Sequence, residues 1–70
     1  MQECKGKITK IIDYENGIIE DEQNQEYYFS KVNFNKVTDI EVGDKVIFDY
    51  IIITTQNAYT IYKAINIEKI

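Results

Sequence analysis

The chain has 70 residues, the length of one small domain spanning residues 1–70, and 44% of them are hydrophobic. This content, rich in Ile, Val, Tyr and Phe, favours a folded β-rich domain over intrinsic disorder. Eight lysines and twelve carboxylates give a net charge of −4, which excludes the overall basic character usual in proteins that bind nucleic acid by neutralising phosphates. A local basic surface stays open, because Lys5, Lys7 and Lys10 cluster near the start of the chain.

Strands are predicted for most of the chain, because proline is absent and no window keeps the apolar repeat of an amphipathic helix. In the first strand the apolar residues Ile8, Ile11 and Ile12 do not follow strict alternation. This spacing predicts a bulge near Thr9 or Lys10. A turn ending in Asn16-Gly17 precedes the second strand, and residues 32–41 predict a loop with one helical turn. The five strands are predicted at residues 5–12, 17–21, 26–31, 45–53 and 59–68.

The fourth predicted strand has apolar residues on both of its faces. Its core face is predicted to consist of Val46, Phe48, Tyr50 and Ile52. The opposite parity includes Ile47, Ile51 and Ile53, for which two explanations stay open. Either the loop at residues 32–41 covers these isoleucines, or they form an apolar patch that meets a partner.

The strand count and the connection lengths predict the fold class. Five strands with a longer irregular connection between the third and the fourth are typical of an all-β fold, a five-stranded antiparallel OB-type barrel. Such a barrel closes its sheet and so removes the unpaired edges. An SH3-like barrel of similar strand count is the alternative.

Five short segments resemble cold-shock domains, in the same order and at about the same spacing along nearly the whole chain. Two of them are similar to the RNP motifs of that family, and three are similar to its opening strand, its Leu-x-x-Gly-x-x-Val-x-Phe segment and its Ala-x-Asn-Val ending. The segments are Gly6-Lys7-Ile8-Thr9-Lys10, Gly17-Ile18-Ile19, Tyr27-Tyr28-Phe29-Ser30, Ile40 to Phe48, and Ala64-Ile65-Asn66-Ile67. The resemblance implies a cold-shock-like OB barrel in which aromatic side chains on the sheet stack on single-stranded RNA or DNA.

The resemblance also implies where the binding residues lie, with several replacements. Lys10 stands where the family has an exposed Trp, Ile18 replaces an aromatic residue, and Ser30 stands where the family has a His. Tyr28 is kept, and Tyr14 matches an aromatic position only if it folds back over the sheet. Since stacking contributes roughly 1–3 kcal/mol per base, we expect weak binding. The predicted nucleic-acid-binding residues are Lys7, Lys10, Tyr14, Ile18, Tyr28, Ser30, Lys31 and Lys63.

Each of these residues also has a purely structural explanation. Tyr28 is equally well an ordinary cross-strand partner, and lysines on strands commonly keep a β-rich surface soluble and unpaired. A second functional hypothesis is therefore an OB-type protein-interaction module or small acidic regulator. It would bind a protein through the acidic hairpin end or through Ile47, Ile51 and Ile53. The choice between RNA and DNA depends on contacts to the 2′-hydroxyl and stays open.

Catalysis, cofactors and metals are not expected. Histidine is absent and Cys4 is the single cysteine, which excludes an intramolecular disulfide and zinc sites built from His or Cys. No Ser or Cys lies beside a plausible base, and no phosphate-binding Gly loop is present. No apolar run reaches the roughly 18 residues that span a membrane, and no signal peptide is recognised. We expect a cytoplasmic monomer.

Overall fold

The computed structural model describes residues 3–70, and every strand predicted in this range is present. Each observed strand end lies within one residue of its predicted position, and the single helical turn follows the third strand directly. The elements are β1 (Cys4–Ile11), β2 (Asn16–Asp21), β3 (Glu26–Ser30), a 3-10 turn (Lys31–Asn33), β4 (Lys45–Thr54) and β5 (Thr60–Lys69). No helix in this range is long and apolar enough to cross a membrane.

The strands form a closed barrel in the order β1-β2-β3-β5-β4, with β4 pairing back to β1. The predicted all-β, five-stranded barrel is confirmed, and the arrangement is compatible with an OB-like fold. The prediction of a wholly antiparallel sheet is wrong at one pair, because β3 and β5 run parallel, with Tyr28 opposite Lys63. The reason is geometric: a closed ring with an odd number of strands cannot reverse direction at every pair.

Two local features of the first hairpin shape the barrel wall. The register between β1 and β2 shifts between Ile8 and Lys10, so the predicted bulge is confirmed. Gly17 on β2 is buried, and a Cβ atom placed there would lie 2.6 Å from both the Phe29 ring and the Lys10 carbonyl oxygen. Glycine therefore lets the β2 backbone approach the core directly.

The core consists of residues from all five strands together with Phe34 from the long loop. Tyr27 packs edge-to-face on Phe48 with ring centroids 4.9 Å apart, and Phe29 packs on Phe34 at 5.7 Å. Phe34 also bridges to Ile67 of β5, which fixes the loop against the barrel. The buried residues are Ile8, Ile19, Tyr27, Phe29, Phe34, Val46, Phe48, Ala64 and Ile67.

The predicted core face of β4 is only partly correct. Val46 and Phe48 are buried, whereas Ile52 is 54% exposed. The reason is that, among residues 3–70, β1 pairs with β4 only as far as Phe48, so the second half of β4 extends beyond this pairing. The loop at residues 32–41 does not cover Ile51 and Ile53, which are 44% and 39% exposed.

Candidate nucleic-acid interface

Four of the predicted binding residues lie side by side across four strands. Lys10 of β1 pairs with Ile18 of β2, Ile18 pairs with Tyr28 of β3, and Tyr28 pairs with Lys63 of β5. Residues directly opposite each other share a sheet face, with Cβ atoms about 4.5–5.5 Å apart. We call Lys10, Ile18, Tyr28 and Lys63 the outer row. Three strand spacings separate its two lysines, which is about 14 Å along the sheet.

Strand alternation and one bulge place the outer row on the outside of the barrel. Ile19, Tyr27, Phe29 and Ala64, which neighbour the row in sequence, are buried, so the row residues between them face outward. Lys10 is different, because regular alternation from buried Ile8 would turn it inward. The register shift between Ile8 and Lys10 brings Lys10 opposite Ile18 instead. The bulge therefore completes the row.

Tyr28 lies in the middle of the outer row and is 49% exposed. Within residues 3–70 its ring packs against no other aromatic ring, and its hydroxyl makes no hydrogen bond. Its cross-strand neighbours are the aliphatic Ile18 and the cationic Lys63. Both structural and binding explanations of Tyr28 fit these contacts, but the exposed ring leaves room for a base to stack.

The charges around the outer row are uneven. Within residues 3–70 the single ion pair joins Lys69 to Asp44 at 3.3 Å, so both lysines of the row lack a carboxylate within 4.0 Å. Glu20 and Glu26 pair with each other two residues away from Ile18 and Tyr28 along β2 and β3, and so lie on the same sheet face. Lys7 lies opposite Glu20, so the charge of that carboxylate offsets part of the positive potential of Lys7. The outer row thus has an acidic border on one side.

On the opposite side of the outer row lie two further predicted residues, Ser30 and Lys31. Ser30 pairs with Asn16, and the Ser30 amide donates a hydrogen bond to the side-chain oxygen of Asn33. Lys31 is half-buried, and its amide donates to the Glu15 carbonyl at 2.6 Å. We call the uncharged pair Asn16 and Ser30 the neutral border, which the Lys31–Glu15 hydrogen bond ties to the β1–β2 loop.

Tyr14 lies in the β1–β2 loop and is 80% exposed, so its ring does not pack over the sheet. The loop conformation is held by Asp13, whose carboxylate accepts hydrogen bonds from the amides of Glu15 and Asn16 at 2.8 and 2.9 Å. The hydrogen bond from the Glu15 amide is the main reason why the pKa of Asp13 lies below its usual value. Tyr14 is thus presented beside the neutral border of the outer row.

No protein-family model matches the sequence, and no curated protein shows significant similarity to it.

One carboxylate at the acidic end of the β2–β3 hairpin, that of Asp21, stabilises the fold. Asp21 accepts a hydrogen bond from the Tyr27 hydroxyl at 2.8 Å and from the amides of Gln23 and Gln25 at 2.8 and 3.0 Å. Burial alone raises the pKa of Asp21, but these hydrogen bonds outweigh it and hold the pKa below its usual value. Burial and the Asp21 carboxylate together raise the pKa of Tyr27. Within residues 3–70 no three carboxylate or cysteine side chains are grouped to hold a metal ion.

The structure adds one residue that the sequence did not place at the interface. Ile51 of β4 pairs with Lys63 and so extends the outer row onto a fifth strand. It is 44% exposed, as part of a hairpin whose residues Ile52 and Tyr59 are exposed as well. The signal in the sequence was the run Ile51-Ile52-Ile53, since a strand that is apolar at successive positions cannot bury both faces in a barrel wall of one layer.

Proposed function

We propose that this protein is a small nucleic-acid-binding module that binds single-stranded RNA or DNA weakly through the outer row. The observation that carries the proposal is the alignment of Lys10, Ile18, Tyr28 and Lys63 across four adjacent strands. A strand of nucleic acid needs apolar or aromatic surface for its bases and cations for its phosphates, and the row supplies both on one sheet face.

Each member of the row has a distinct role in the proposal. Tyr28 stacks on one base, and Ile18 contacts the neighbouring base or sugar as an apolar surface. Lys10 and Lys63 bind phosphates on either side, about 14 Å apart along the sheet. Lysine supplies point charges without a fixed hydrogen-bond geometry, so these contacts carry no base specificity.

The two borders of the row define the direction in which a bound strand continues. Glu20 and Glu26 repel phosphates on one side, whereas Asn16 and Ser30 on the other side carry no charge. We therefore infer that the bound strand leaves the row over the neutral border. There it meets Tyr14, the exposed tyrosine of the β1–β2 loop, which is the second stacking residue in this proposal. In OB-type barrels the β2–β3 face and this loop are common binding elements.

The same features support a cold-shock-like identity and explain why the binding is expected to be weak. The outer row lies where the resemblance places the stacking surface of that family. Lys10, Ile18 and Ser30 stand where the family has Trp, an aromatic residue and His. Since each base stack contributes roughly 1–3 kcal/mol, losing such groups weakens binding by several kcal/mol.

The test is a titration of fluorescent oligo-dT and oligo-U of about 12 nucleotides at low salt, by fluorescence anisotropy. We expect dissociation constants in the micromolar range that rise steeply with salt, because lysine–phosphate contacts release counterions. Absence of binding below about 100 μM for both oligonucleotides would lead us to abandon the proposal. In that case the exposed side chains of Ile51 and Ile53 make the alternative, a protein-interaction module, the function to test next.

A further inference from the structure

The hairpin formed by the ends of β4 and β5 extends past the rest of the barrel. β1 pairs with β4 only from Lys45 to Phe48, whereas β4 and β5 stay paired as far as Thr54 and Thr60. Within residues 3–70, no strand pairs with the outer edge of β4 after Phe48. Among residues 3–70, backbone N–H and C=O groups along this edge that point away from β5 therefore have no strand partner and can pair with another strand.

This edge lacks the devices that usually protect a free strand. Ile51, Ile52 and Ile53 are 44%, 54% and 39% exposed and cover both faces of the hairpin. Residues 50–62 include no charged residue and no proline, and the β4–β5 pairing from Asp49 to Thr54 contains no bulge. Lysine, proline and bulges are the common protections of sheet edges, and β-branched residues favour extended pairing.

The charge distribution indicates which partner fits the edge. The whole chain carries a net charge of −4, so two copies repel each other wherever their charged surfaces meet. Residues 50–62 are the longest uncharged stretch of the sequence and offer a contact without that repulsion. An uncharged edge attracts neither a basic nor an acidic partner specifically. Two identical strands that pair antiparallel are self-complementary, which favours a second copy of the chain.

We propose that a second copy of the chain pairs with this edge, so that two β4 strands lie antiparallel in a two-fold symmetric dimer. Ile52 lies at the symmetry axis, and Ile51 lies opposite Ile53 of the second copy. The contact includes only about five residues per strand. A stable interface buries roughly 800 Å² per partner and uses about 20–30 residues a side, so this contact is far smaller. The dimer therefore forms weakly and at high protein concentration, in contrast to the monomer expected from the sequence.

The dimer has one consequence that rests on the proposed function. The two-fold axis of an antiparallel strand pair is perpendicular to the sheet, so the outer faces of both barrels lie on the same side. Two outer rows would then be available to one nucleic-acid strand, and a long oligonucleotide would bind more tightly than a short one. The dimer itself does not depend on nucleic acid and is tested without it.

Sedimentation velocity of the whole chain between about 10 μM and 1 mM tests the dimer. We expect the average mass to rise from 8.3 kDa towards twice that value. Added salt should strengthen association, because it screens the repulsion between two negative chains. A mass that stays at the monomer value at about 1 mM, or that grows past the dimer into open aggregates, would overturn the proposal.

Two variants locate the contact. Ile52→Lys places two ammonium groups against each other at the axis and should weaken association at least tenfold. Val37→Lys makes a similar apolar-to-lysine change at a fully exposed loop position and should leave association unchanged. An equal loss in both variants would contradict pairing at the β4 edge, and circular dichroism confirms that each variant is folded.

Hydrogen exchange of the unmodified chain tests the same contact without a mutation. Backbone amides on the free edge at residues 49–54 should exchange more slowly as protein concentration rises, because pairing protects them. Dimerisation that leaves these amides unprotected would also refute pairing through β4.

Discussion

Replacing Asp21 with alanine is expected to destabilise the barrel by about 2–3 kcal/mol. The Asp21 carboxylate accepts three hydrogen bonds, from the Tyr27 hydroxyl and from the amides of Gln23 and Gln25. The two turn amides can bond to water after the substitution and contribute little. Tyr27 is only 4% exposed, so its hydroxyl loses a charged acceptor that water does not easily replace. For a domain of this size, such a loss lowers Tm by roughly 10–20 °C.

Thermal unfolding followed by circular dichroism measures this effect near pH 7. Asp21→Asn keeps an oxygen acceptor, so its free energy of unfolding should fall less than that of Asp21→Ala. Tyr27→Phe removes only the hydroxyl and should lower the free energy of unfolding by about 1 kcal/mol. In the double-mutant cycle of Asp21→Ala with Tyr27→Phe, we expect a coupling of about 1 kcal/mol.

The pH dependence gives an independent check. The pKa of Asp21 is lowered in the folded protein, so the charged carboxylate stabilises the fold fully above its usual pKa of 3.8 and loses this effect as pH falls through the folded value. The stability difference between the unmodified chain and Asp21→Ala should therefore be constant above about pH 5 and shrink in acid. A difference under about 0.5 kcal/mol near neutral pH, or one that does not shrink in acid, would refute the reasoning.

Three further substitutions are expected to have distinct effects. Gly17→Ala should destabilise by about 1–3 kcal/mol in urea unfolding, because the new Cβ meets the Phe29 ring at 2.6 Å; unchanged stability would contradict this close packing. Ala58→Gly should stabilise by up to about 1 kcal/mol, since Ala58 has a φ of 63° that glycine adopts without strain; a lower Tm would be the contrary result. Lys63→Gln should reduce the salt dependence of oligonucleotide binding by about one phosphate contact, whereas Lys36→Gln, outside the outer row, should not change it.

Most of the barrel could be predicted from the sequence, because its signals are local. Alternating apolar residues and turn residues such as Asn16-Gly17 mark strand ends to within one residue. The parallel pairing of β3 with β5 is not a local property, since it depends on how the ring closes. The exposure of Ile52 could not be predicted either, because it depends on where β1 stops pairing with β4.

The candidate site was predicted as a set of residues but not as an arrangement. Lys10 joins the outer row only because the bulge shifts its register against Ile18. Lys63 joins it only because β5 lies beside β3, a contact between residues distant in sequence. Tyr14 could match an aromatic position of the family only by folding back over the sheet, and its ring is instead 80% exposed in the loop beside the row.

The most direct test of the central claim compares oligonucleotide binding by the unmodified chain, Tyr28→Ala and Tyr59→Ala. Tyr59 is an exposed tyrosine of the β4–β5 turn, outside the outer row, and is the matched control. We predict that Tyr28→Ala weakens binding of oligo-dT or oligo-U by about 5- to 150-fold, the loss of one base stack, while Tyr59→Ala leaves the affinity within about twofold. Equal affinities for Tyr28→Ala and the unmodified chain would contradict the claim that the outer row is the binding surface.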